Sequence, residues 1–228
     1  MKTYVVTGAN RGLGLELVRQ LAARGDRVIA GCREPGKAAE LRTLVGANVT
    51  VHALDVGDGK SVAAFAAALG DSPVDVLINN AGVMGPDDQS FGHTDYDAWQ
   101  ETLNINTFGP LRTLEALAEN LAKGKGKLAV TVTSGMGSIA DNGSGGYYPY
   151  RSSKAAVNMV MKSAAVDLKP RGITVVVINP GWVQTDMGGP SATITPAVSI
   201  QGMLSQLDKV TPAQTGTFLD FKGGNFGW

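Results

Sequence analysis

The sequence lacks the features that mark secreted, membrane-spanning, metal-binding and nucleic-acid-binding proteins. It has one cysteine, Cys32, so no disulfide can form within the chain. The 20 Lys and Arg residues balance the 20 Asp and Glu residues, and no basic cluster stands out, so we expect no nucleic-acid partner. No apolar run reaches the roughly 20 residues that cross a bilayer, and no signal-peptide pattern opens the chain, so we expect a cytoplasmic protein without a membrane span. The two histidines, His52 and His93, lack ligand spacing, and we expect no metal.

Short runs of β-branched residues alternate with helical stretches. Residues 3–7 form the first such run, and Leu13, Leu17 and Leu21 follow at helical spacing. Strands that read as continuous apolar runs are covered by helices on both faces. We therefore predict one α/β domain over residues 1–228, with a doubly wound parallel sheet of about seven strands. The other predicted strands are 27–30, 49–51, 74–78, 128–132, 173–178 and 218–221, and further helices are predicted near 36–45, 59–69, 95–122, 150–168 and 196–209.

Local signals mark the ends of two of these helices. Thr94, with Asp97 three residues later, predicts a capping box at the start of the helix near 95–122. Gly109-Pro110 is expected to interrupt that helix. Thr195-Pro196 predicts the N-cap and the first residue of the last helix.

A glycine-rich turn follows the first predicted strand. Gly8, Gly12 and Gly14 lie between that strand and the helix that begins near Leu13. Glycines at such a turn let the backbone approach a ligand closely, and the amides at the helix N-terminus favour an anion. The segment predicts a pyrophosphate site, although a glycine-rich turn that merely closes an αβ unit has the same pattern.

Further motifs stand in a fixed order just beyond the predicted strands or on the next helix, and together they cover nearly the whole chain. With the T-G-x-x-x-G-x-G turn, this order resembles the short-chain dehydrogenase/reductase family, whose members have a Rossmann fold. The segment 141–146 and the ending Phe218-x-Asp220 to Trp228 resemble the C-factor-like carbonyl reductases within it. The ordered motifs are Asp55, Asn79-Asn80-Ala81-Gly82, Asn106, Ser134, Tyr150-x-x-x-Lys154 and Asn179-Pro180-Gly181.

The resemblance implies a nicotinamide cofactor, and the end of the second strand favours NADPH. The position where NAD-binding units carry an acid for the ribose hydroxyl holds Cys32, followed by Arg33. An uncharged residue removes repulsion of a 2′-phosphate, and Arg33 and Arg11 offer it donors, although Glu34 would oppose it. The cofactor-binding residues implied are Gly8, Asn10, Arg11, Gly12, Leu13, Gly14, Arg33, Asp55, Val56, Asn80, Ala81, Gly82, Tyr150, Lys154, Pro180, Gly181, Val183 and Thr185.

Tyr150 and Lys154 lie four residues apart, so both project from one face of a helix. A nearby ammonium group is expected to lower the pKa of a phenol and fit it for acid–base catalysis. Tyr147 and Tyr148 lack a lysine at this spacing. The resemblance adds Ser134, which would bind the substrate oxygen, and Asn106, which would hold a water linked to Lys154. Ser134 precedes Tyr150 by sixteen residues, more than is usual in the family, and Ser138 is the alternative.

The expected substrate side is mostly apolar or aromatic. By resemblance it includes Met84, Met136, Tyr147, Trp182 and a loop and helix segment near 186–213. We expect an NADPH-dependent reductase of an uncharged ketone or aldehyde, which in the reverse direction would act as a dehydrogenase of the corresponding alcohol. The alternative is a dinucleotide-binding, C-factor-like signalling or regulatory protein. Relatives usually pair through the helices near 95–122 and 150–168, so the resemblance implies a homodimer or homotetramer.

Overall fold

The computed structural model describes residues 1–228, and one parallel sheet organises it. The strands are β1 (Thr3–Thr7), β2 (Arg27–Cys32), β3 (Val49–Ala53), β4 (Val76–Asn79), β5 (Leu128–Val132), β6 (Thr174–Asn179) and β7 (Phe218–Asp220). They lie in the order β3-β2-β1-β4-β5-β6-β7, and every neighbouring pair is parallel. The predicted doubly wound Rossmann fold of seven strands is confirmed.

The helices cover both faces of the sheet. They are α1 (Gly12–Ala23), α2 (Ala39–Thr43), α3 (Gly59–Leu69), α4 (Tyr96–Leu103), α5 (Gly109–Lys123), α6 (Tyr148–Leu168) and α7 (Pro196–Leu207). One core cluster of 26 buried residues packs with α1 and α7, and a second of 21 packs with α3, α5 and α6. This double coverage explains the continuous apolar strands, since the central strands bury side chains on both faces, whereas the edge strand β3 is partly exposed. None of the helices is long and apolar enough to cross a membrane.

Three local expectations need correction. The single helix expected near 36–45 is a 3-10 turn, Pro35–Lys37, followed by α2. The cap of α4 is Asp95 and not Thr94, because the Asp95 carboxylate accepts a hydrogen bond from the Ala98 amide at 3.0 Å. The helix expected near 95–122 is interrupted, but the break is a π-helical turn, Asn104–Phe108, that ends just before Gly109-Pro110. Gly109 and Pro110 are the first two residues of α5, and a proline is tolerated in the first turn of a helix.

The expected N-cap of α7 is present. The Thr195 hydroxyl accepts a hydrogen bond from the Val198 amide at 3.4 Å, and Pro196 is the first helical residue. The strand order reverses between β1 and β4, because β2 and β3 lie on one side of this pair and β5, β6 and β7 on the other. In open α/β sheets a ligand binds in the crevice at this switch point.

Candidate active site

The glycine turn joins β1 to α1 at the switch point. Gly8 and Gly12 have φ values of +64° and +53°, which favour glycine. A Cβ on Gly14 would lie 2.1 Å from the Gly8 carbonyl oxygen, so only glycine fits there. Arg11 is the N-cap of α1 and makes no side-chain capping bond. The first-turn amides, which have no helical acceptor, together with the helix dipole form a site suited to an anion.

Asn80 fastens the turn to the loop that follows β4. Its Nδ2 donates to the Thr7 and Gly8 carbonyl oxygens at 2.9 and 3.2 Å. In return, the Thr7 hydroxyl accepts hydrogen bonds from the Asn80 and Ala81 amides, both at 3.0 Å. The amide side chain of Asn80 therefore holds the backbone of the anion site in place through the Thr7 and Gly8 carbonyl oxygens.

A cavity of about 460 Å³ extends from the glycine turn along the carboxyl edge of the sheet. Eight further residues line it; Asp186 and Met187 belong to the predicted substrate segment 186–213, and the other six adjoin a predicted residue or lie one residue further on. The predicted residues that line it are Gly8, Asn10, Arg11, Gly12, Leu13, Gly14, Arg33, Asp55, Val56, Asn80, Ala81, Gly82, Tyr150, Lys154, Pro180 and Thr185, and the additional ones are Cys32, Leu54, Val83, Ile105, Val132, Thr133, Asp186 and Met187.

Several predicted residues lie outside the cavity lining. Gly181 and Val183 are close to it in sequence, and Asn106 and Ser134 act on residues that line it. The four predicted substrate residues, Met84, Met136, Tyr147 and Trp182, are also outside the lining. Trp182 is half exposed and donates from Nε1 to the Gly188 carbonyl oxygen at 2.8 Å, which holds the indole against its own loop. Met187 alone represents the apolar side chains of the segment 186–213 in the lining.

Charge at the far end of the cavity is set by β2 and its loop. Cys32 is buried, and burial raises the pKa of its thiol, which therefore stays neutral. Arg33 is exposed and forms no ion pair, whereas Glu34 accepts a bond from Lys37 at 2.6 Å. This hydrogen bond and the Lys37 charge lower the pKa of Glu34, so its carboxylate is charged but partly compensated. Arg11 bonds Asp186 at 3.1 Å across the cavity mouth.

Tyr150 and Lys154 lie together at the other end. Each is only 6% exposed, and Lys154 Nζ is 5.7 Å from the centre of the Tyr150 ring. Lys154 Nζ also donates to the Val132 carbonyl oxygen at 3.2 Å, which directs it toward the end of β5. The i, i+4 spacing thus brings the two groups to one face, as the sequence predicts.

The pKa of Tyr150 is raised, whereas the sequence led us to expect that it would be lowered. Burial raises it, and the hydrogen bond with the Ser134 hydroxyl lowers it by less. Burial also lowers the pKa of Lys154 to about 8. Both changes have the same origin, since loss of water disfavours the charged form of each group. Without ligand, therefore, the ammonium group does not outweigh the cost of burying a phenolate.

The two candidate serines have different surroundings. Ser134 is the N-cap of the 3-10 turn Gly135–Gly137, and its Oγ accepts from the Met136 amide at 3.1 Å while facing Tyr150. Ser138 is buried and donates to the Trp228 carbonyl oxygen at 3.2 Å. Its Oγ also accepts from the Asp141 amide at 3.2 Å. The geometry therefore brings Ser134, and not Ser138, to the phenol.

Asn106 lies in the π-helical turn and holds the loop after β4. Its Oδ1 accepts from the Val83 amide at 2.8 Å, and its Nδ2 donates to the Val83 carbonyl oxygen at 2.8 Å and to Ser153 Oγ at 3.0 Å. Ser153 Oγ in turn donates to the Tyr150 carbonyl oxygen at 2.8 Å. Both amide hydrogens of Asn106 are thus committed to protein, and the water expected from the resemblance stays a prediction.

The fold and this site define a class of protein: a dinucleotide-binding α/β domain with a buried Tyr/Lys pair beside the ligand cavity. The model of the short chain dehydrogenase family matches residues 2–193, and the chain belongs to this family of oxidoreductases. It is 47% identical over 165 residues to C-signal of Myxococcus xanthus, covering 72% of this chain and 99% of that protein. It is 40% identical over 235 residues to 1-hydroxy-2-glutathionyl-2-methyl-3-butene dehydrogenase of Rhodococcus sp. (strain AD45), covering 100% of both.

Solved structures of carbonyl reductases have the same fold over the whole chain. The carbonyl reductase Sniffer of D. melanogaster superposes with a TM-score of 0.94 at 32% identity, covering 100% of both chains. The NADPH-bound carbonyl reductase from chicken fatty liver gives a TM-score of 0.94 at 32% identity, covering 100% of this chain and 99% of that one.

Proposed function

We propose that this oxidoreductase is an NADPH-dependent reductase of uncharged ketones or aldehydes, working in reverse on the corresponding alcohols. The observation that carries the proposal is the burial of Tyr150 beside Lys154 in the cavity that begins at the glycine turn. An acid–base pair and an anion site in one cavity fit the reduction of a carbonyl by a phosphate-bearing cofactor. The carbonyl reductases among its structural relatives support the same chemistry.

The cavity residues fit a nicotinamide dinucleotide. Gly8, Gly12 and Gly14 leave room for a pyrophosphate beside the α1 amides, and a Cβ on Gly14 would close that space. Arg33 is free to bind a 2′-phosphate beside the neutral thiol of Cys32, and this favours NADPH. We assign the rest of the cofactor to the predicted residues that line the cavity, with Gly181 and Val183 next to them. When bound, the cofactor supplies the hydride.

Tyr150 and the polar groups near it are suited to proton transfer and to stabilising the charge that develops in the reaction. Tyr150 is protonated at neutral pH, as an ordinary phenol is, and burial raises its pKa further, so it is present as a proton donor for the carbonyl oxygen. Ser134, which faces the same phenol, is suited to hydrogen-bond that oxygen and stabilise charge developing on it. Lys154 holds the end of β5 and stabilises the phenolate left after proton transfer. Asn106 and Ser153 fix the backbone on either side.

We infer an uncharged substrate from the cations of the cavity. Only three cationic side chains line the cavity, and each of them either has another partner or lies away from the substrate side. Arg11 bonds Asp186, Lys154 is buried beside Tyr150, and Arg33 lies at the far end. No cation is therefore left to pair with a carboxylate or phosphate on the substrate. We assign the segment 186–213 to the substrate side because Met187 lines the cavity, and Met84, Met136, Tyr147 and Trp182 stay predictions.

The test is turnover of a panel of ketones and aldehydes, followed by NADPH absorbance. Tyr150→Phe removes only the acidic hydroxyl, and we expect the rate to fall by roughly 10²- to 10⁴-fold with NADPH binding retained. Tyr148→Phe is the matched control, since Tyr148 lies on the same helix, is partly exposed and lacks a lysine four residues on. Equal activity of the two variants would refute the proposal.

The similarity to C-signal favours a second candidate, a dinucleotide-binding signalling or regulatory protein. The same panel separates the two. A regulator would bind NADPH but turn over no carbonyl compound, and Tyr150→Phe would leave its regulatory effect intact. The complete Tyr150, Lys154 and Ser134 arrangement supports the enzyme.

We also propose a homodimer or homotetramer that pairs through the helices near 95–122 and 150–168, which are α4, α5 and α6. Phe108, Met159 and Val166 support it, because these apolar side chains are 50%, 67% and 66% exposed along this side of the protein. The mass of the protein in solution tests this assembly. A monomer at micromolar concentration would refute it.

A further inference from the structure

The helix that carries Tyr150 begins without a cap of its own. Tyr147 is the N-cap of α6, in a left-handed conformation with φ 51° and ψ 38°, and makes no side-chain capping bond. The second helical residue, Pro149, has no amide hydrogen. The Tyr150 amide is therefore a first-turn donor that needs a partner from outside the helix, because it is buried.

Gln89 supplies that partner from the loop after β4. It is only 5% exposed, and its Oε1 accepts a hydrogen bond from the Tyr150 amide at 3.1 Å. Its Nε2 donates to the Met84 and Pro86 carbonyl oxygens, both at 3.0 Å. One buried amide thus links three backbone groups, and three of its four hydrogen-bonding sites are occupied.

The loop is packed closely against the start of α6 at the same place. Gly85 has a φ of +93°, and a Cβ there would lie 2.9 Å from Thr102 Oγ1, 3.6 Å from Gln89 Nε2 and 3.6 Å from Pro149 Cβ. The link is therefore part of a tight contact and not a bridge across open space. A movement of this loop would reach the first turn of α6 through Gln89.

We propose that Gln89 is a positioning residue, which caps α6 and holds Tyr150 in register with the loop 84–86 on the substrate side. This inference rests on the proposed function, because it assigns the link a role in catalysis. A shift of about 1 Å in an acid group costs as much as a hundredfold in rate, so a cap directly on the Tyr150 amide is well placed to set it.

Two substitutions separate the hydrogen bond to the Tyr150 amide from the two hydrogen bonds to the loop 84–86. Gln89→Met removes all three hydrogen bonds with little change of volume. Gln89→Glu keeps the acceptor for the Tyr150 amide but loses the donors to the Met84 and Pro86 carbonyl oxygens. Gln100→Met is the matched control, since Gln100 is exposed on α4.

The first readout needs no activity. By NMR hydrogen exchange on the cofactor-free protein, we expect Gln89→Met to reduce protection of the Tyr150 amide by roughly fivefold, the value of one ordinary hydrogen bond. Gln89→Glu should retain that protection. Unchanged protection of the Tyr150 amide in Gln89→Met would overturn the inference. This readout does not depend on whether the protein has reductase activity.

The second readout is kinetic. Gln89→Met should lower kcat by about tenfold or more, while NADPH affinity changes by less than about twofold, because the glycine turn is untouched. Gln89→Glu should raise KM while it recovers part of kcat. If Gln89→Met keeps the kcat of the Gln100→Met control and only its Tm falls, Gln89 is merely structural and the inference fails. The proposed function would survive that result, since it depends on Tyr150→Phe.

Discussion

Lys154→Met should make the cofactor-free protein more stable while it abolishes turnover. The ammonium group is 6% exposed and has no carboxylate partner, and burial lowers its pKa from 10.5 to about 8. At about 1.36 kcal/mol per pKa unit, this difference means that the buried charge costs about 3 kcal/mol at pH 7. Methionine has a similar volume and no charge. It gives up the hydrogen bond to Val132, worth about 1 kcal/mol, so the expected net gain is about 2 kcal/mol.

The gain should disappear as the pH rises. Because the pKa of Lys154 is lower in the folded protein, the unfolded chain binds more protons between about pH 8 and pH 10.5. The free energy of unfolding of the wild type therefore rises with pH across this window, whereas Lys154→Met lacks this contribution. Burial also raises the pKa of Tyr150 and Tyr4 from 10.0, but these groups affect stability only above about pH 10.

Urea unfolding followed by circular dichroism at pH 7 and near pH 10 measures the effect. At pH 7 the gain corresponds to a rise in Tm of roughly 4 to 8 °C for a chain of this size. Lys60→Met, at an exposed position on α3, is the control and should show no such gain at either pH. A Lys154→Met variant no more stable than wild type at pH 7, or one whose advantage is the same near pH 10, would refute the reasoning.

Three further experiments test the site. Gly14→Ala should destabilise the protein by about 2 kcal/mol or more in urea unfolding, because its Cβ would lie 2.1 Å from a carbonyl oxygen of the turn, whereas Gly46→Ala meets nothing within 4 Å and should have little effect. Ser134→Ala should lower kcat by about tenfold or more and Ser138→Ala should mainly lower Tm; the reverse pattern in turnover and melting assays would exchange their roles. Arg33→Ala should weaken NADPH binding by roughly tenfold, measured by titration, and leave NADH binding unchanged; equal losses for both cofactors would contradict a 2′-phosphate site.

The fold was largely predictable because its main signal is periodic. Apolar runs in the strands and the helical spacing of Leu13, Leu17 and Leu21 follow from burial against a sheet covered on both faces. The errors in the predicted fold arose where two neighbouring residues or two hydrogen-bonding patterns compete for the same position. The Asp95 carboxylate caps α4 in place of Thr94, and the π-helical turn Asn104–Phe108 forms where Asn106 binds both backbone groups of Val83. No short pattern encodes such a long-range contact.

The site was predictable to the extent that its residues follow strands. Parallel strands bring their carboxyl ends to one edge, so Gly8 after β1 and Asn80 after β4 meet in one cavity, and Tyr150 joins them from the first turn of α6. Side-chain direction was not predictable from the same argument. Trp182 follows a motif but turns back to bond Gly188, and Gln89 belongs to no motif yet contacts the Tyr150 amide.

The sequence by itself determined the element order, the anion site at the glycine turn and the pairing of Tyr150 with Lys154, since each depends on spacing along one chain segment. Only the tertiary structure decided which serine faces the phenol, that the pKa of Tyr150 rises, and that Gln89 caps the helix from 61 residues away. These properties depend on burial and on contacts between distant segments. Such contacts exist only once the sheet has formed and water has been excluded from its edge.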